Sequence, residues 1–241
     1  MLRFTLFGFP VLIHWIFWLN TALMGGALHA SSPEQLRGLL GWMVAVFLSI
    51  LIHELGHALT MRNCGDRRVS IMLYAFGGLA QGSTQLTRKQ DLIVSAAGPG
   101  LQILVGLAVG WSITIWRISS PWLHQMLDAF TVVSLFWALL NLVPIVPLDG
   151  GRLCQAYLGS TKRRQALTIS LVCAVAMALL SFQDQLWLGF QDSILSLLDI
   201  HVDRNMRIGG GVFSLLLFGM LAWNSWKQLR NEPQIQWMNA R

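Results

Sequence analysis

His53, Glu54 and His57 stand in the order HExxH within FLSILIHELGHALTMRNCG. On an α-helix, positions i and i+4 lie on one face, so both imidazoles can bind a single metal ion. Glu54 sits beside the first of them, where a carboxylate can take a proton from a metal-activated water. Zinc lowers the pKa of its water to about 7, which makes hydroxide available at neutral pH. The motif alone arises by chance in about one chain per hundred of this length, and a solvent-facing helix is then its ordinary explanation. The surroundings make that explanation poor. All three residues lie in an apolar stretch, about 5–9 residues or 8–14 Å from the nearest basic edge at 1.5 Å per residue. Ionisable groups at such a depth in a bilayer are costly and mark functional sites.

A catalytic zinc needs a third protein ligand and one open position. Asp149, in ALLNLVPIVPLDGGRL, is the candidate. It follows Pro144 and Pro147, which break a helix, and precedes Gly150 and Gly151, which permit unusual backbone. Taken alone, it reads as a turn or cap aspartate. In the span count below, the second and fourth spans both run outward-to-inward. Asp149 then arrives on the same membrane side as His53 and His57, and that agreement favours a ligand.

The elements that hold these residues follow from composition. Of 241 residues, 54% are apolar and 12% charged, with a mean hydropathy of +0.56. A disordered chain needs low hydrophobicity and high charge, and is excluded. A soluble domain would carry about 25% charged residues, so a polytopic membrane protein is expected. Cys64, Cys154 and Cys173 are odd in number and far apart, and suggest neither a disulfide framework nor a CxxC metal site.

Six segments are apolar enough to cross a core about 30 Å thick: Val11–Ala30, Gly38–Met61, Leu92–Trp116, Met126–Val146, Ala166–Phe182 and Gly209–Trp226. The first is too long for a signal-peptide core and is expected as a retained anchor. With six alternating spans, 13 of the 17 Lys and Arg residues share one side with both termini and the loops 62–91 and 147–165. This positive-inside bias puts both termini in the cytoplasm. It also accounts for the net charge of +6, which would otherwise raise nucleic acid as a partner; no nucleic-acid partner is expected. Gln183–Arg207 carries four aspartates and reads equally as an amphipathic surface helix or as a loop with apolar anchors. Tryptophans near span ends, such as Trp15, Trp42 and Trp226, read as interface belts.

HELGH within a span, followed about ninety residues later by NxxPxxPLDGGR, resembles the site-2 protease family of intramembrane zinc metalloproteases. FGFPVLIHW, ending at Trp15, resembles the start of its compact sporulation-type bacterial members. YAFGGLAQGS (Tyr74–Ser83) is similar to the family's glycine-containing hairpin. AAGPGLQ (Ala96–Gln102) is similar to its AAGPxxN stretch, with Gln102 where an asparagine is usual. Glutamine keeps the amide and extends it by one methylene, which bears on a packing or substrate contact there. The resemblance covers nearly the whole chain. No PDZ or CBS module is expected, since nothing long remains outside the spans.

The resemblance implies that His53, His57 and Asp149 hold one Zn2+ per chain and that Glu54 is the general base. It also implies that Asn141 helps hold the scissile carbonyl or its oxyanion, where an amide donor is worth most in a water-poor site. Without it, Asn141 reads as an interhelical hydrogen bonder. An exposed edge of the hairpin Val69–Gly82, with Gly77 and Gly78, can bind an extended substrate by strand addition; a re-entrant turn that only packs is the equal alternative. His14 is expected in a structural role. Gly98-Pro99-Gly100 is expected to kink or break the third span, either opening a water route or letting helices approach closely. His29, His124 and His201 are assigned no role.

The resulting expectation is an all-α polytopic membrane protein with about six transmembrane helices and a small membrane-associated β-hairpin between the second and third. It forms one intramembrane metalloprotease domain over 1–241, with a core at 1–182, a last span at about 209–226 and a cytoplasmic tail at 227–241. The chain is expected in the lipid bilayer of a bacterial cytoplasmic membrane, cutting peptide bonds in or near transmembrane segments of membrane-protein substrates. Two other classes compete: a catalytically inactive membrane scaffold of the same fold, and a small transporter. Intact ligands and base speak against the first, and the missing internal repeat against the second.

Overall fold

The computed structural model describes residues 1–75, 77–116, 118–182, 189, 193 and 212–239. The chain opens with a β-hairpin, β1 (Leu2–Leu6) and β2 (Phe9–Ile13). Phe7 and Gly8, at φ 50 and 84, make its two-residue turn, and positive φ at both central positions is what such a turn requires. A short helix follows, α1 (Trp15–Met24). His14 caps it: its Nδ1 accepts from Ile16 N–H at 3.3 Å, and its own backbone N–H donates to Leu73 at 3.0 Å. The structural role expected of His14 is the one it has here.

Helix α2 (Pro33–Asn63) carries the HExxH motif. Ser32 and Gln35 form a reciprocal capping box at its start, and Pro33 occupies the first turn. The box satisfies amide groups left without partners at a helix N-terminus, and proline has no such group to leave unsatisfied. Strands β3 (Ser70–Tyr74) and β4 (Gly77–Gln81) then form an antiparallel hairpin. β2 joins β3 in parallel, so one sheet has the order β1-β2-β3-β4. Helices α3 (Arg88–Ile115), α4 (Pro121–Leu142), α5 (Asp149–Leu158), α6 (Arg163–Phe182) and α7 (Val212–Asn239) complete the described chain.

Among the described residues, four helices are long and apolar enough to cross a membrane: Pro33–Asn63, Arg88–Ile115, Pro121–Leu142 and Ser160–Ser181. Large apolar side chains stand exposed on them and on α7, including Leu104, Trp111, Leu179, Leu216 and Trp223. Such surfaces suit lipid and are rare in water. The chain is thus a multi-pass integral membrane protein, mostly helical with one small sheet.

Two expectations change. Val11–Ala30 is not one spanning helix, since its helix has 10 residues, about 15 Å long. Even so, residues 14–32 run back along α2: β2 pairs with β3, which follows α2 in the chain, while Ser32 caps the N-terminal end of that helix. The remaining distance is covered by turns at Gly25–His29, whose N–H groups bond to Thr21, Leu23, Ala22 and Gly26. The sequence missed the N-terminal hairpin because FGFPVLIHW is apolar throughout and merges with the following segment. Also, α3 is not broken at Pro99; the helix continues through it. Gln183–Arg207 lies, apart from residues 189 and 193, outside the described residues.

The chain divides into two compact units. Of the described residues, one unit holds those within Met1–Leu86 and Ala97–Leu139; the other holds Thr87–Ala96 and those within 140–182 and 212–239. The first unit packs Ala45 of α2, Phe130 of α4, and Val105 and Val109 of α3 into one cluster. Gly106 and Gly110 face Ser134 and Thr131 so closely that an added Cβ would lie 2.8–2.9 Å away. Small residues at such crossings let membrane helices approach. The second unit packs α5, α6 and α7, with Ser170 and Ser225 hydrogen-bonded at 2.7 Å.

Candidate active site

In the first unit, the helical spacing of His53 and His57 has the consequence expected. Their Nε2 atoms lie 3.1 Å apart, the rings cross at 76°, and both residues are buried. Two imidazole nitrogens at that separation can each reach one ion at about 2.0–2.1 Å, the zinc–nitrogen distance. Paired imidazole nitrogens are donors that suit zinc.

Each imidazole is held from α3. Gly98 lies against His57: a Cβ added to it would be 2.2 Å from His57 Nε2. One turn further along, the Gln102 amide oxygen meets His53 Nδ1 at 2.8 Å. The pairs 57/98 and 53/102 run in opposite chain order, as antiparallel helices require. Gly56 permits the crossing, since a Cβ there would lie 2.5 Å from the Ala97 carbonyl oxygen. The expectation that the GPG stretch allows close approach is met. Gln102 is fully buried and donates through its amide nitrogen to Ser49 Oγ at 2.8 Å, and Ser134 donates to the same oxygen at 2.9 Å. Ser49 precedes His53 by one turn of α2, a spacing that was legible, but its partners on α3 and α4 were not.

Glu54 is buried on the same helix, beneath β4. A Cβ on Gly78 would lie 2.3 Å from Glu54 Cγ and 2.5 Å from Oε1, so the strand backbone rests directly on the carboxylate. Gly77 has φ 143, which L side chains avoid. β4 ends one row of the sheet. The hairpin is anchored at its base by Asp66, which no motif had marked. Its buried carboxylate accepts backbone N–H groups of Arg68, Ser83 and Thr84 at 2.6–3.0 Å and the Ser83 hydroxyl at 3.0 Å. These bonds, Arg68's foremost, hold its pKa at about 2 against the ordinary 3.8.

Asn141 and Asp149 belong to the second unit. Asn141 is half-buried near the end of α4, and Asp149 is the buried first residue of α5. The turn between them contains a cis peptide bond at Val146–Pro147. Its backbone is pinned by Leu148 N–H to Ile145 O at 2.7 Å and by Val146 N–H to Ser170 Oγ at 2.8 Å. Gly150 and Gly151 press on it: added Cβ atoms would lie 2.1 Å from Leu142 O and 2.5 Å from Ile145 C. Arg152 bonds to Asp91 at 2.8 Å, and the Arg88 guanidinium donates to the Ala156 and Tyr157 carbonyls near the C-terminus of α5. A cation there complements the helix dipole.

Known proteins are similar to this chain in sequence and fold. The chain is 36% identical over 163 residues to Rip3 of Mycobacterium tuberculosis, covering 63% of this chain and 42% of Rip3. It is 26% identical over 169 residues to Zinc metalloprotease MJ0392 of Methanocaldococcus jannaschii, covering 66% and 48%. It is 33% identical over 121 residues to Stage IV sporulation protein FB of Bacillus subtilis, covering 49% and 40%. The chain thus spans under half the length of these relatives. Its fold matches the solved structure of the Site-2 Protease from Methanocaldococcus jannaschii, with TM-score 0.59 and 22% identity over 95% of this chain and 94% of that one. The model of peptidase family M50 matches residues 41–117 and 117–182, and the chain belongs to that family.

Proposed function

We propose that this protein is an intramembrane zinc metalloprotease that hydrolyses peptide bonds in or near transmembrane segments of membrane proteins. The observation that carries this is the buried imidazole pair, 3.1 Å apart on an apolar helix, with Glu54 beside it. The relative named a zinc metalloprotease supports the same activity. His53, His57 and Asp149 would hold the zinc, one per chain, as a three-residue ligand set of the kind catalytic zinc sites use. Bound there, zinc supplies a Lewis acid that polarises a carbonyl and acidifies water.

The chain's own groups do the rest. Glu54 takes the proton of the attacking water and hands it to the leaving amine. Asn141 donates its amide N–H to the developing oxyanion, where a fixed donor in a water-poor site is most effective. A substrate helix shields its own peptide bonds, so it must unwind locally. The β4 edge with Gly77 and Gly78 offers the freed backbone new partners by strand addition. One catalytic domain covers 1–241, crossing a bacterial cytoplasmic membrane about six times, with the hairpin membrane-associated and both termini cytoplasmic.

The test uses the full chain, purified and reconstituted with a transmembrane substrate. Glu54→Gln is expected to keep about one zinc per chain and to lose cleavage. Cleavage surviving in that variant would end the mechanism. Full zinc content in Asp149→Ala would remove Asp149 from the ligand set. Labelling of the 147–165 loop from outside intact cells would overturn the orientation.

A further inference from the structure

We infer that Gln102 is a positioning residue for the zinc site: its amide oxygen holds the proton of His53 on Nδ1 and leaves Nε2 free of one. The inference rests on the reading of His53 as a zinc ligand. An imidazole that binds metal through one nitrogen must carry its proton on the other, and the group accepting that proton fixes the ring's tautomer and angle. Gln102 Oε1 stands 2.8 Å from Nδ1, with both residues buried.

An amide can face either way, and the two faces have opposite effects. With nitrogen toward His53, it would donate to Nδ1 and force the imidazole proton onto Nε2, the atom that faces His57. With oxygen toward His53, Nε2 keeps its lone pair. The structure has the second orientation, with Ser49 accepting the amide N–H at 2.8 Å. Ser134, on α4, donates its hydroxyl to the same Ser49 oxygen at 2.9 Å. A string of three fully buried side chains from three helices therefore ends on one ring nitrogen. The glutamine has the length this string needs: it reaches both His53 on one side and Ser49 on the other from α3.

The test measures zinc affinity of the purified full chain by chelator competition, together with the absorption spectrum of the Co2+-loaded protein and the melting temperature of the metal-free form. Gln102→Leu, which keeps the volume and removes the acceptor, is expected to loosen zinc by about 10–100-fold and to shift the Co2+ spectrum. Gln102→Glu retains an acceptor facing Nδ1 and is expected to bind zinc within about threefold of the parent or more tightly. Ser49→Ala, which frees the amide to turn, is expected to loosen zinc less than Gln102→Leu does. Zinc affinity in Gln102→Leu within about twofold of the parent would overturn the inference. So would Gln102→Glu binding as weakly as Gln102→Leu while its metal-free form melts like the parent. His53→Ala separates the two levels: if it keeps full zinc content, the ligand reading fails first; if it loses zinc while Gln102→Leu does not, only the role of Gln102 falls.

Discussion

Gly78 has no side chain because Glu54 occupies the place where one would be. The two touch across β4 and α2, with 2.3 Å between the Glu54 Cγ and the Cβ an alanine would bring. Glu54 cannot retreat into its own helix, so the strand must rise or the carboxylate must turn. Gly78→Ala is expected to lower kcat by at least about tenfold, as displacement of a general base does, while zinc content stays at the parent level. Metal analysis alongside cleavage of a reconstituted substrate checks this. Unchanged turnover would mean that the hairpin yields without moving Glu54.

Gly98 bears the same relation to His57, and the outcome should differ. A Cβ there would meet the Nε2 atom itself at 2.2 Å. Gly98→Ala is therefore expected to lower zinc affinity by about 10-fold or more, in line with other perturbations of ligand orientation. Activity should follow occupancy and recover in excess zinc. The two glycine variants thus separate the proposed base from the proposed ligand: one is expected to lose turnover with metal bound, the other to lose metal.

Asp66 gives a pH signature. Its folded pKa of about 2 lies below the ordinary 3.8 because backbone N–H groups of Arg68 and Thr84, with Ser83, favour the carboxylate. A depressed carboxylate stabilises the fold fully above its unfolded pKa, and the contribution is lost as pH falls through the folded one. The window is therefore from about 4 down to about 2. Melting curves across this range should show a fall in the parent that Asp66→Asn, already weakened at neutral pH, largely lacks. Hydrogen exchange at β3 and β4 should rise in the variant, since Asp66 fastens the chain just before one strand to the chain just after the other.

The glycines of DGGR make a prediction about folding rather than catalysis. Added Cβ atoms would press on backbone, at 2.1 Å from Leu142 O for Gly150 and 2.5 Å from Ile145 C for Gly151. Backbone held by hydrogen bonds does not move aside cheaply, and overpacking of this kind costs about 1–3 kcal/mol. Either alanine variant should lower the melting temperature and the yield of folded protein. By contrast, Arg152→Ala removes a half-exposed ion pair with Asp91, which is worth about 0–1 kcal/mol, and should leave both nearly unchanged.

These pairs also mark how far the sequence could be read. HExxH and helical periodicity bring His53 and His57 together because the i, i+4 relation is local. The helix break before Asp149 was legible in the prolines for the same reason. Gln102 reaching His53, or Gly78 reaching Glu54, depends on which helix face and which strand register meet, and no local period encodes that. The N-terminal hairpin escaped because both faces of β2 are apolar, so its alternation is invisible against the apolar segment that follows. The glycine-proline-glycine in α3 does not break the helix, and of its two expected consequences it is the close approach that is seen. Its helix tolerates the ring, and the missing side chain of Gly98 makes room for His57 as that of Gly56 does for the Ala97 carbonyl.

The parallel pairing of β2 with β3 ties position 11 to position 71. Local hairpins zip as they are made, but this junction closes only after the whole of α2 exists, and long-range closure is slow and entropically opposed. The strand that rests on Glu54 is therefore among the last parts of the sheet to gain its full support. It does so through strands near the N-terminus that carry none of the candidate site residues. A bulky fusion or a trimmed N-terminus would act on Glu54 through the hydrogen bonds that join the strands, without touching any candidate site residue.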